Sequence, residues 1–172
     1  MDKRIRPARR ALARIPLAAA IMAGFGPRIA GAAGKPYRIG ELNSYNRMPA
    51  FLEPYRKAME LAIEEINAAG GIDGRPLEII IRDDNGVPGD AVRVASELVS
   101  RERVDILAGG FLSNVGLALA DFARQHKRVY VAGEPLTDKL VWENGNRYTF
   151  RLRSSTWMQV AMLIPGAVAT GA

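Results

Sequence analysis

The chain has 172 residues, no cysteine, one histidine and a formal net charge of +6. The missing thiols exclude a disulfide framework, a Cys-ligated zinc and a lipid-modified N-terminal cysteine. The charge is local: residues 1–33 hold seven of the 24 basic and one of the 18 acidic side chains, which leaves 17 of each in residues 34–172. The formally neutral remainder gives no support to nucleic-acid binding.

Lys3, Arg4, Arg6, Arg9, Arg10 and Arg14 precede an apolar stretch, Ile15 to Phe25, and then the small residues Ala30-Gly31-Ala32-Ala33. This is the layout of a secretory signal peptide, with cleavage expected near Ala32-Ala33 and a periplasmic destination. The apolar run is too short to span a bilayer. Arg9-Arg10-Ala11-Leu12-Ala13-Arg14 loosely resembles a twin-arginine signal, and an arginine-rich Sec signal is the alternative. About 139 residues would remain, enough for one α/β domain.

Arg38 to Leu42 predict a first strand, followed by a polar loop, Asn43 to Pro49. From Pro49 to Ala69 the residues Leu52, Tyr55, Met59, Ala62, Ile63 and Ile66 recur at the period of an amphipathic helix. Gly70 and Gly71 stop it, Asp73-Gly74 turns the chain, and Pro76 blocks a return to helix. Leu77 to Arg82 form the second strand, closed by Asp83-Asp84-Asn85-Gly86. These acids, with Asp90, lack the spacing of an EF-hand loop and read as turn and cap residues. Asp90 is placed to cap a second helix with Ala91, Ala95, Leu98 and Val99 inward.

Val104 to Ala108 predict the third strand, ending in Gly109-Gly110. Ser113 can cap a third helix with Val115, Ala118, Leu119 and Phe122 inward, and Arg124, His126, Lys127 and Arg128 close it. Arg128 to Ala132 form the fourth strand, Thr137 to Trp142 a short helix, and Tyr148 to Leu152 the fifth strand. Thr156 to Ile164 open another helix that Pro165-Gly166 should end. The alternation predicts a doubly wound parallel sheet, with ligands outside the carboxyl ends of its strands.

That rule directs attention to GGFLSN, residues 109–114. Two glycines after a buried strand lead into a helix whose first amides are unpaired, which suits a carboxylate at Ser113 and Asn114. A plain helix cap by Ser113 explains the same residues equally well. Glu134 follows the fourth strand and could hold an ammonium group or a ligand hydroxyl. Tyr45 and Asn46 could line the same cleft from the first loop. Arg151 and Arg153 are open between strand alternation and a site role. No GxGxxG follows a strand and no Walker lysine is present, so no nucleotide or other cofactor is expected. Ser113 lacks the G-x-S-x-G elbow and His126 lies at the far end of its helix, so no enzyme is expected.

YRIGEL, AMELAIEEINAAGGIDGRPLEIIIRDDNG, GGFLSNVGLALADFA and EPLTD…NRYTFRLR together resemble the periplasmic solute-binding proteins of ABC transporters for branched-chain amino acids. The resemblance implies a type I periplasmic binding fold of two lobes that close on a small carboxylate. The ligand carboxylate would meet Ser113 with Asn114 beside it, and Ala132, Gly133 and Glu134 would line the same cleft. AGEPLT replaces the usual Ser/Thr/Ala loop, which leaves amides, urea-like solutes and aromatic carboxylates open beside amino acids. The implied partners are that ligand and a membrane permease.

Members of that family are more than twice as long. The expected organisation is therefore a signal peptide over 1–33, an incomplete N-terminal lobe over 34–153 that lacks its return segment, and the start of a second lobe over 154–172. Such a truncated form is expected to bind weakly. A ligand sensor of the same fold, regulating a partner protein, is the alternative to transport.

Overall fold

The structure, a computed structural model, describes residues 34–171. The signal-peptide reading of residues 1–33 lies outside the described residues. The elements are β1 (Tyr37–Asn43), α1 (Pro49–Ala68), β2 (Leu77–Asp83), α2 (Pro88–Ser100), β3 (Ile106–Gly109), α3 (Ser113–His126), β4 (Val129–Ala132), a 3-10 turn (Asp138–Leu140), β5 (Thr149–Arg151) and α4 (Thr156–Ala169). The five strands form one parallel sheet in the order β2-β1-β3-β4-β5. The doubly wound α/β fold expected from the alternation is the observed one.

The junction between α1 and β2 follows from local chemistry. The Gly71 amide bonds the Ile66 carbonyl at 2.9 Å, at the left-handed φ of +76°. A Cβ on Gly71 would lie 2.0 Å from the Arg75 carbonyl oxygen, so only glycine closes this helix end. Ile72 and Arg75 then exchange backbone bonds of 2.8 and 2.9 Å across Asp73-Gly74, both at positive φ. That is the two-residue turn that Asp-Gly favours. Asn67 bridges the ends: its side chain donates to the Leu77 carbonyl at 2.9 Å and accepts from the Leu77 amide at 2.7 Å.

Strand order sets the layers. From β1 to β2 the chain steps one way along the sheet, and from β2 to β3 and on to β4 it steps the other. Right-handed crossovers then place α1 on one face and α2 with α3 on the opposite face. The α2–α3 face holds the main core: Leu42, Leu107 and Tyr130 from the strands, Ala95 and Leu98 from α2, and Val115, Leu119 and Phe122 from α3. Each fully buried leucine contributes about 2 kcal/mol. Gly40 faces Val104 and Leu98 on this side, with no room for a larger residue to be added freely.

The α1 face carries one helix and is thinly covered. Of the residues expected inward, Leu52 is fully buried and Tyr55, Met59 and Ile63 are half-buried, while Ala62 and Ile66 are exposed. Ile106 and Phe150, which alternate onto the same face, are exposed as well.

Three local expectations are corrected. Asp90 does not cap α2; the helix starts earlier, with Val87 at the cap position and Pro88 in its first turn, where proline's fixed φ and missing amide are harmless. Ser113 does not cap α3; Leu112 holds that position and Ser113 is the first helical residue. Pro165 does not end α4, which continues to Ala169. Proline forfeits one backbone bond there, and every residue around it is exposed, so water can take the freed carbonyl.

Candidate functional site

The winding direction reverses between β1 and β3, so their following loops leave toward opposite faces and open a crevice at the carboxyl ends of the strands. A cavity of about 330 Å³ lies there, lined by Phe51 and Leu52 from α1, Phe111 from the β3–α3 loop, Glu134 and Leu136 after β4, and Arg153 after β5. Phe51 and Phe111 face one another with ring centroids 5.9 Å apart. Phe51 is 64% exposed, so it forms a wall of the crevice and not part of the core. Arg153 Nη1 donates to Glu134 Oε2.

Of the residues singled out in the sequence, Glu134 lines this cavity. Ala132 and Gly133 are buried beneath it, and the Gly133 amide donates to the Gly109 carbonyl at 3.1 Å. Ser113 is half-buried at the start of α3, outside the cavity lining. Its Oγ accepts from the Thr137 amide at 3.3 Å and so ties the loop after β4 to the helix start. Asn114 is exposed, and its side chain accepts from the Val115 amide at 3.0 Å. Tyr45 is half-buried and points at Glu41, while Asn46 is exposed with its amide held by Asp83 Oδ2 at 2.8 Å. Of these residues the structure therefore places Glu134 on the cavity wall, ties Ser113 to the loop after β4, and leaves Ser113, Asn114, Ala132, Gly133, Tyr45 and Asn46 off the wall.

Glu41 was not foreseen. It is fully buried on the α1 face of β1, accepts from Asn43 Nδ2 at 3.0 Å and from the Tyr45 hydroxyl at 2.7 Å, and has no cationic partner among the described residues. Burial pushes its carboxyl up to about 7; the two hydrogen bonds oppose the rise, and Asp84 and Asp83 add to it. Gly109 makes the space. Its φ is +103°, and a Cβ there would lie 2.3 Å from the Leu42 carbonyl oxygen and 2.7 Å from Glu41 Oε1. Tyr55 reaches over Gly133, where a Cβ would lie 3.1 Å from its hydroxyl oxygen. Its hydroxyl is pushed up to about 12 by burial, then by Glu41 and Glu134. The Tyr130 hydroxyl donates to the Gly109 carbonyl at 3.1 Å, and burial raises it strongly.

Asp83 and Asp84 serve the turn, as their sequence setting suggested. Asp84 accepts from Ser44 Oγ at 2.7 Å and from the Gly86 amide at 2.8 Å, and Asp83 accepts from the Asn85 amide at 2.6 Å. Burial raises the Asp84 carboxyl against those bonds. Among the described residues, no group of three or more His, Cys, Asp or Glu side chains could hold a metal ion.

Phe51, Phe111 and Arg153 were missed or left open in the sequence. The available signal was an aromatic in an otherwise small, polar loop, GGFLSN, and a phenylalanine one position off the inward stripe of α1.

A parallel sheet whose loops meet around an aromatic-walled crevice at the switch point is the architecture of a ligand-binding α/β lobe. The family model for periplasmic binding proteins matches residues 47–172. The chain belongs to that family. It is 38% identical over 65 residues to an amino acid binding protein of Pseudomonas aeruginosa, a match covering 38% of this chain and 17% of the relative. It is 32% identical over 101 residues to Leu/Ile/Val-binding protein homolog 7 of Brucella melitensis, covering 58% of this chain and 24% of the relative. Among solved structures it resembles the branched-chain amino acid transporter substrate binding protein LivJ of Streptococcus pneumoniae, crystallised with isoleucine. The TM-score is 0.64 at 26% identity, over 70% of this chain and 34% of that one. The chain thus matches about a quarter or less of the length of these curated relatives and about a third of that structure.

Proposed function

We propose that this chain supplies one wall of the ligand cleft of an extracytoplasmic solute-binding component of an ABC transporter. The ligand is an amino acid or a similar small carboxylate or amide. The observation that carries the reading is the crevice at the switch point, with its facing phenyl rings and its Glu134–Arg153 pair. A fold of this family without such a crevice would supply scaffold alone.

In this reading the ligand's polar end is received by the loops after β3 and β4, at Ser113, Asn114, Ala132, Gly133 and Glu134, with Tyr45 and Asn46 behind. Its apolar part lies against Phe51 and Phe111. The first turn of α3 offers unpaired amides. No chemistry is performed: affinity comes from these contacts and from closure of the cleft. The partner is a membrane permease, and residues 1–33 act as the export signal.

The test is a ligand-observed NMR titration of the full chain against small carboxylates and amides. Saturable binding is expected, about tenfold weaker in Ser113→Ala, which releases the β4 loop from the helix start. Absence of saturable binding by every compound contradicts the proposal.

A further inference from the structure

We infer that Glu41 and Tyr55 form a proton-operated switch beneath the crevice. The Tyr55 hydroxyl serves the crevice while Glu41 is protonated and turns to the Glu41 carboxylate once it ionises, so ligand is held less tightly in more alkaline solution. The inference rests on the crevice being the ligand site.

The arrangement starts from two glycines. Gly109 ends β3, Gly133 follows β4, and the Gly133 amide donates to the Gly109 carbonyl at 3.1 Å. A Cβ on Gly109 would lie 2.7 Å from Glu41 Oε1; one on Gly133 would lie 3.1 Å from the Tyr55 hydroxyl oxygen and 3.9 Å from the Gly109 Cα. The carboxyl and the hydroxyl thus rest on neighbouring glycines, and no side chain from these two positions stands between them. Tyr55 also lies one helical turn along α1 from Phe51 and Leu52, which line the crevice, and beside Gly133, whose neighbour Glu134 lines it too. Its hydroxyl is close enough to both Glu41 and Glu134 for each acid to hinder its ionisation.

Hydrogen-bond capacity defines the two positions of the switch. The Tyr45 hydroxyl donates to Glu41 at 2.7 Å and the Tyr130 hydroxyl to the Gly109 carbonyl at 3.1 Å, whereas the Tyr55 hydroxyl bonds no protein atom among the described residues. Glu41 accepts two bonds, from Asn43 and Tyr45. An ionised carboxylate has room for about four. A neutral acid tolerates the shortfall; a buried anion draws in the free donor beside it.

The other groups around Glu41 offer it no relief. Asp83 and Asp84, at the end of β2, are acids that add to its burden. On α1, Arg56 is held by Glu53 at 3.1 Å and by Glu60 at 3.9 Å. From β3 only Gly109 approaches; on β4, Tyr130 spends its hydroxyl on Gly109; beyond it, Glu134 is taken by Arg153. Burial therefore holds the Glu41 carboxyl at about 7, which sets the switch to operate at neutral pH. A ligand that takes the Tyr55 hydroxyl binds the protonated form better. By linkage its affinity is full below the Glu41 value and is lost as pH rises through it.

The test titrates L-isoleucine, whose carboxylate and ammonium keep their charges throughout, into the full chain from pH 5.5 to 8 by ligand-observed NMR. Binding is expected to weaken about tenfold across a midpoint near 7, the worth of one hydroxyl hydrogen bond. Glu41→Gln is expected to bind with no pH step. Tyr55→Phe, which keeps the ring, is expected to lose the step and to bind more weakly at pH 5.5. In the ligand-free 15N-labelled chain, the Gly109, Gly133 and Glu134 amides should titrate with the same midpoint, and not in Glu41→Gln. The one histidine, His126, lies at the far end of α3 and leaves these amides unmoved. Either variant carries the test should the other fail to fold by circular dichroism. Binding that is flat or tightens with pH in the parent overturns the switch and leaves the crevice in place. A step that persists in folded Glu41→Gln removes Glu41 from the role, and one that persists in folded Tyr55→Phe removes Tyr55. Absence of saturable L-isoleucine binding at every pH overturns the reading of the crevice as an amino-acid site and this inference with it.

Discussion

Glu41→Gln keeps the shape of a fully buried side chain and removes a charge that has no cationic partner among the described residues. The Glu41 carboxyl lies at about 7 in the folded chain against 4.5 as the ordinary value. A raised acid means that the folded state holds its proton more tightly than the unfolded state does. Below about pH 4.5 both states are protonated and Glu41 costs nothing. As pH rises toward 7 the unfolded state ionises first, and stability falls. Above 7 the folded state ionises too and the full penalty is present, on the order of 3 kcal/mol. Glutamine has no such penalty. It can accept from Asn43 and donate to the Tyr45 hydroxyl, and the two hydrogen bonds to the carboxylate are already contained in the value of about 7. The variant should therefore match the parent near pH 4.5 and exceed it by about 3 kcal/mol at pH 8. Urea unfolding followed by circular dichroism at pH 4.5, 6 and 8 reads this directly. A difference that stays flat with pH, or a variant less stable at pH 8, would refute the argument that burial raises this carboxyl.

Gly109→Ala adds a Cβ at a positive φ, 2.3 Å from the Leu42 carbonyl oxygen. It should cost more than about 2 kcal/mol, read as a lower urea midpoint. Asn67→Ala removes both bonds to Leu77, at 2.9 and 2.7 Å, and leaves two half-buried backbone groups short of partners. A loss of about 2 kcal/mol is expected in the same unfolding measurement, and a loss under a few tenths would mean that water replaces the bridge.

How much of this was readable in advance depends on where each partner lies. Asp73-Gly74 and Gly70-Gly71 act through their own backbone, so the run from α1 to β2 was legible residue by residue. The inward faces of α2 and α3 were legible too, because two helices and a sheet enclose them. The stripe on α1 was legible as a pattern, but its burial was not: Ala62 and Ile66 remain exposed because a single helix covers that face. Ser113 looked like a cap because a local amide was the only partner the sequence offers; its actual partner is Thr137, 24 residues away. Glu41 carried no signal in the sequence, and only the fold shows it enclosed with Asn43 and Tyr45. The Glu134–Arg153 pair joins two loops 19 residues apart. Strand alternation left Arg153 open, since its role depends on where the chain goes after β5.

The most direct measurement of the central claim is an amide chemical-shift map of the 15N-labelled chain titrated with the small carboxylates and amides of the ligand-observed titration. The account predicts that perturbations cluster at Phe111 to Asn114, Gly133 to Leu136 and Arg153, with Phe51 and Leu52 at the opposite wall. The groove between α2 and α3, lined by Val92, Phe122 and His126, is the alternative cavity on the far surface. Perturbations centred there, or none at saturating ligand, would contradict the assignment of the crevice as the ligand site.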